Sequence, residues 1–486
     1  MIARRALVLL ALALAACNPR PDTGPVIVSA IGGRPSYPEL DKRAPDTTQR
    51  VLLDATAQGL VRFDAAGQIE PGLAERWIVV DQGRTYIFRI RDAEWGTGGQ
   101  VTAQEVAAIL KRAIAPESKN PLKPFLSAID DIVPMTDEVV EVRLSRPRPD
   151  LLKLFAQPEL AVLRVDPSSG TGPFRIDSKS GVGILMIPAS DPNRSPDDDS
   201  RPAGAEANVQ LIGERAPMAL LRFAAKQSDY VAGGTVDDWP MVALAKIAPA
   251  NVKLDPAVGL FGLAVVDRSG FLGTPGARAA VAEAIDRAAL IAAFSPDWGP
   301  PAERLLPDKL DSAAPPAVPE WSKLAPDARL DDARDQVAQY RTAHPGVPVL
   351  RLALPGGPGG TLLFAQIGAR LVAIGIRPVR VGWNEPADLR LIDAVAPYDS
   401  ARWYLATACA QCNDESQAAL AAARDAPTMA ERATHIAEAD AALVADVAFI
   451  PIASPYRWSL VSLRLKAWQG NPRAWHPLNR LRNDTN

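Results

Sequence analysis

Histidine and cysteine are scarce, three of each among 486 residues. The histidines His344, His435 and His476 are scattered and no HExxH pair occurs, so a directly ligated metal is disfavoured. His435 and Glu438 share one helical face by spacing, which reads as a solvated surface. No GxSxG elbow is present, and no Gly-Lys-Ser/Thr end completes a phosphate loop. Basic residues number 53 against 56 acidic ones, a net charge of −3, so the excess that draws a protein to nucleic acid is missing. After the first twenty residues no run of 18 apolar residues exists to span a bilayer. These absences argue against an enzyme, a resident metal or cofactor, and a nucleic-acid partner.

What is present is a large globular chain. At roughly 150 residues per domain, its length allows about three domains. Hydrophobic residues make up 48% and charged residues 22%, enough to bury a substantial core. Proline is plentiful, 45 residues, and implies many rigid turns.

Residues 1–16 read as an export signal. Arg4 and Arg5 precede the apolar run Ala6 to Ala16, which is too short for a stable membrane anchor. Leu14-Ala15-Ala16-Cys17 resembles the lipobox of bacterial lipoproteins, in which the cysteine is acylated and becomes the first residue. The alternative is an ordinary secretory signal that happens to contain a cysteine. With two or more acyl chains at Cys17, the membrane would hold the protein by the lipid alone. Export places Cys409 and Cys412 in an oxidising compartment, where a local disulfide is the expected state; a redox pair or half a zinc site is the other reading of this spacing.

Periodicity gives a coarse map. Val26 to Ala30 predicts a strand ending in a Gly32–Pro35 loop, which is expected to face a ligand. Tyr86, Phe88 and Ile90, and likewise Val140, Val142 and Leu144, alternate as strands of one meander; between them Thr102 to Glu105 is a capping box opening a helix. Asp191, Asn193, Ser195 and Asp197 have the spacing of a calcium loop, but prolines at its sixth and twelfth positions point to a solvated loop. Thr274-Pro275 starts a helix with Val281, Ile285, Ala288 and Ala289 as its buried stripe. Val349–Leu354, a turn Gly356-Gly357-Pro358-Gly359-Gly360, a helix Thr361–Ile374 and Arg377–Val381 form one βαβ unit. Thr428 to Glu431 caps a further helix running to about Val447.

Several segments, in order, resemble the family-5 solute-binding lipoproteins of ABC importers, the oligopeptide-, dipeptide- and nickel-binding group. They are Gln58 to Asp64, Ile69 to Trp77, Thr85 to Arg91, Gly99 to Val106, Gly170-Thr171-Gly172-Pro173-Phe174, Gly273 to Arg278, Ala284 to Arg287, and Gly375-Ile376. The resemblance implies an α/β, two-lobed fold of the type II periplasmic-binding-protein kind with an extra α+β subdomain. Lobe one would combine 18–45, 165–258 and 452–486, the extra subdomain would be 46–164, and lobe two 259–451. Chain crossings near Gly259–Gly262 and Ile450–Ile452 would form the hinge. A peptide-like or other small organic ligand would sit between the lobes, and an ABC permease with its ATPases would receive it. A sensor, chaperone or scaffold on the same fold is the alternative.

Tyr37, Trp239, Arg402 and Trp403 are the expected cleft-lining groups, with core packing the other reading of the aromatics. In peptide-binding members a Trp followed by an Asp, after a lobe-two strand, grips the ligand's α-amino group. The matching segment here is Leu389 to Asp399, and Ala396 falls where the carboxylate belongs. This departure argues against ordinary amine capture, because an uncompensated ammonium in a closed cleft is expensive. Asp393 or Asp399 would substitute if the register differs by three.

Overall fold

The computed structural model describes residues 23–165, 168–181, 183–189, 204–308 and 310–482. The expected export signal 1–16, Cys17 and the residues Asp191 to Asp197 lie outside the described residues.

Two large sheets organise the chain. The first has seven strands in the order Phe174–Ser180, Gly183–Pro188, Val209–Glu214, Val26–Ile31, Tyr230–Gly234, Trp458–Val461 and Val252–Leu254. Val26–Ile31 is parallel to both of its neighbours, and its Val28 and Ala30 are fully buried. A β-branched, apolar segment suits such a doubly covered position. The second sheet has five strands in the order Arg377–Val381, Val349–Ala353, Leu389–Val395, Gly259–Val265 and Phe449–Ala453. Val349–Ala353 and Arg377–Val381 pair in parallel around the intervening helix Pro358–Ala373, as a βαβ unit requires. That helix begins three residues before Thr361, because Pro358 supplies the preset φ of a first helical position.

A third body is α+β. Its sheet runs Ala74–Val80, Thr85–Ile90, Val139–Leu144 and Ile129–Thr136, all antiparallel. Tyr86 faces Val142 and Phe88 faces Val140, all buried, as their alternation predicts. The helix Ala103–Ile114 covers this face with Val106, Leu110 and Ala113, and Thr102 and Glu105 form the capping box.

One predicted helix is split. Pro275–Ala284 ends at Ile285, and Asp286 starts a second helix, Arg287–Phe294, by accepting from Ala289 N at 2.9 Å. The break turns Ala288 to solvent, so it is not part of a buried stripe. Asp286 is a strong N-cap, and it overrides the continuity suggested by spacing.

Candidate functional site

The chain passes from the seven-stranded to the five-stranded sheet through 255–258 and returns through 454–457. Beside these passages lies a cavity of about 420 Å3. One wall comes from the seven-stranded sheet, with Tyr230, Thr235, Trp458 and Ser459; a second from the end of Leu389–Val395, with Asp393 through Pro397, and from Trp403. A third comes from the α+β body, with Phe63, Phe125, Gln157 and Glu159; Arg50 enters from the helix Thr47–Thr56, which packs on the seven-stranded sheet, and the C-terminal segment closes the site with Arg473 through His476. The volume lies in the range of small-molecule sites, and aromatic walls with a few polar groups are their usual chemistry.

Local sequence explains the shape. Gly234 ends its strand where a Cβ would stand 2.2 Å from the Trp458 ring, so only glycine lets that indole pack against the strand. Trp458 Nε1 donates to Thr235 O at 2.8 Å, which fixes the ring at the cavity wall.

Every carboxylate lining the cavity already has a protein partner. Arg457 Nη1 donates to Asp393 Oδ1 at 2.7 Å, Arg50 Nε lies 3.0 Å from Glu159 Oε1, and His476 Nε2 lies 3.1 Å from Asp255 Oδ2. Burial raises the Asp393 carboxyl above its ordinary range, with Arg457 opposing. Arg473 donates to Ala396 O at 2.9 Å and pairs with Asp399, which also accepts from Lys153 at 2.5 Å. Partial burial pulls the Asp399 carboxyl upward, but these two cations outweigh it and hold it below its ordinary value. Further out, burial lowers the Arg402 guanidinium from its ordinary value and drives that of Arg148 down to about 9, with Arg432 adding to both.

Of the residues expected at the site, Asp393 and Trp403 line the cavity. Asp399 reaches it only through Arg473, and Arg402 lies over the Phe125 ring, 5.9 Å from its centroid. Tyr37 belongs elsewhere: it lines a separate cavity of about 320 Å3 and donates to Thr56 Oγ1 at 2.9 Å. Trp239 is also displaced from the expected place, because its indole is spent on packing; Nε1 donates to Phe294 O at 2.8 Å, and the ring meets Tyr456 edge-on at 4.9 Å. The Gly32–Pro35 loop lines neither cavity. Ala396 is fully buried in the cavity wall, so no carboxylate stands at that position. Residue reading missed Arg50, Glu159, Arg457, Trp458, Arg473 and Trp475, which lie in four distant stretches and share no local pattern.

Cys409 and Cys412 are joined as a disulfide with Cα atoms 5.2 Å apart, at the end of the helix Ala401–Ala408. Among the described residues no group of three or more His, Cys, Asp or Glu is arranged to hold a metal ion.

A family model described as bacterial extracellular solute-binding proteins, family 5, middle, matches residues 68–340, more than half of the chain. The chain belongs to this family. Among similar proteins, the probable deoxycholate-binding periplasmic protein YgiS of Escherichia coli K12 is 29% identical over 133 residues, 24% of this chain and 25% of that protein. The periplasmic oligopeptide-binding protein OppA of Salmonella typhimurium is 23% identical over 321 residues, 58% of this chain and 56% of that protein. The matches thus span between a quarter and somewhat over half of those relatives. Over nearly the whole chain the fold matches that of Haemophilus influenzae OppA in complex with RPPGFSPFR, with a TM-score of 0.78 at 16% identity, covering 94% of this chain and 98% of that one. The fold of this chain is thus the two-lobed, type II α/β architecture with its additional α+β body.

Proposed function

We propose that the protein is the substrate-binding component of an ABC importer, which captures a peptide-like or other small organic solute between two lobes and presents it to a membrane permease and its ATPases. In this reading lobe one is built from 18–45, 165–258 and 452–486, the extra subdomain from 46–164, and lobe two from 259–451, with the hinge at the passages 255–258 and 454–457 instead of at Gly259–Gly262 and Ile450–Ile452, which lie inside strands of the five-stranded sheet. The protein works on the periplasmic or cell-surface side, tethered through Cys17. The observation that carries the reading is the cavity at the junction of both sheets, lined from each side and touched by both passages between them, at Asp255 and Arg457.

The pairing of each lining carboxylate, with Ala396 at the family's anchoring position, favours a solute without a free α-amino group. A buried ammonium would have to displace Arg457 from Asp393 or Arg50 from Glu159, or compete with His476 and Asn471 for Asp255. Native mass spectrometry of residues 18–486, purified gently from the native source and again after unfolding and refolding, tests the proposal. A discrete mass lost on refolding supports it, and the sign of that solute's charge tests the absence of amine capture. A refolded chain that binds nothing in a broad solute screen by tryptophan fluorescence would sink the importer reading.

The second reading, a scaffold or chaperone, rests on one surface. Ile78, Val79 and Val80 are 56%, 45% and 38% exposed on the edge strand Ala74–Val80. An apolar open edge is a template for pairing with another chain. Loss of partner capture on Val79→Lys, with solute binding intact, would identify this role.

A further inference from the structure

The glycine-rich turn Gly356–Gly360 has no role in the cavity, yet it is occupied. Asp237, in the segment after Tyr230–Gly234 of the seven-stranded sheet, reaches across to the N-terminus of Pro358–Ala373, a helix of the five-stranded sheet's body. Its Oδ2 accepts from Gly357 N at 3.1 Å, its Oδ1 from Gly360 N at 2.9 Å, and its main-chain oxygen from Gly359 N at 2.8 Å. A carboxylate therefore fills the place where such turns elsewhere hold a phosphate, and both the free N–H groups and the helix dipole favour it there.

The glycines are explained by approach from the other body. A Cβ on Gly359 would stand 2.1 Å from Val236 O, and one on Gly357 would stand 2.5 Å from Asp237 Oδ2. Any side chain at Gly359 would push the two bodies apart. The segment is also coupled to the cavity: Asp237 N donates to Thr235 Oγ1 at 3.3 Å, and Thr235 O accepts from Trp458 Nε1. Thr235 and Trp458 both line the cavity.

We propose that Asp237 is an interlobe latch: its carboxylate, seated on the Gly357–Gly360 helix start, holds the closed arrangement of the two bodies even before solute arrives. The latch goes beyond the importer reading, since it depends only on two bodies joined by a hinge. Solute that meets Thr235 and Trp458 finds a wall already set, and the cost of closing is reduced by the share the latch has met.

The test uses nitroxide labels at Met218→Cys and Val347→Cys, exposed positions in the two bodies, in the mature chain without added solute. Electron–electron distance measurement should show a short, narrow population in the parent. Asp237→Ala should shift more than about half of it to longer distances, and Gly359→Ala, which leaves the charge in place, should do the same. Circular dichroism of each variant checks that the fold survives. A parent already open, or an Asp237→Ala variant with the parent's distribution, overturns the latch. A shift for Gly359→Ala alone also overturns it, since spacing and not the carboxylate would then control closure.

Discussion

Arg457 grips Asp393 twice, through the carboxylate at 2.7 Å and through the main-chain oxygen at 3.1 Å, and so ties the return passage 454–457 to the strand Leu389–Val395. Both side chains are about five-sixths buried, at 15% and 16% exposure. Removing one member strands the other, at a cost of about 3 kcal/mol, whereas removing both relieves most of that penalty. Asp393→Ala should therefore lower the stability measured by urea unfolding by about 3 kcal/mol, and Asp393→Ala with Arg457→Ala should cost clearly less than the sum of the single changes. Additive losses would show that the pair is not coupled. The pairing also means that Asp393 is not available as a free amine anchor.

Glu283 gives a pH signature. Its carboxyl is buried on Pro275–Ala284 and raised to about 7, first by desolvation and then by Asp332. The folded state thus binds a proton more tightly than the unfolded one. This contribution is fully present below the unfolded value near 4.5 and is lost as pH rises through about 7. Glu283→Gln should stabilise the protein by about 1–3 kcal/mol at pH 8 and by little at pH 4.5. Thermal unfolding at the two pH values would show it, and an equal effect at both would refute the assignment.

The Cys409–Cys412 bridge closes a very short loop. By loop-closure entropy it contributes at most about 2 kcal/mol. Alkylation of the denatured but unreduced protein should label neither cysteine, and Cys409→Ser with Cys412→Ser should lower thermal stability modestly while leaving the fold intact. Full labelling without reductant would show that the thiols are free.

Fractionation tests the tether. Cys17→Ser should move the protein from the membrane fraction to the soluble one, because the lipid is the only anchor proposed. Retention on membranes would require another.

Local pattern made the architecture legible. Strand alternation at Tyr86, Phe88 and Ile90, the capping box at Thr102, and the βαβ unit from Val349 to Val381 all appear in the structure because burial and capping act over a few residues. The site was less readable. Asp393 follows from the family's anchoring segment and Trp403 from its aromatic character beside Arg402, but Arg457, Trp458, Arg473 and Trp475 meet them only through tertiary folding. Aromatic character alone misplaced Trp239, since core packing against Tyr456 and a cleft wall demand the same residue type. The Gly356–Gly360 turn was seen, but its occupant lies 120 residues earlier, at Asp237.

The strand that begins the fold is also the one that waits longest. Val26–Ile31 lies in the middle of its sheet and pairs with Val209–Glu214 and Tyr230–Gly234, so it has no partner until some two hundred further residues are available. Trp458–Val461 then joins the same sheet from the far end of the chain, whereas the five-stranded sheet lies wholly within 259–453. Closing such long loops is entropically costly and slow. The body formed from the continuous stretch can therefore consolidate first, and the body containing the chain's start is completed last, by its end.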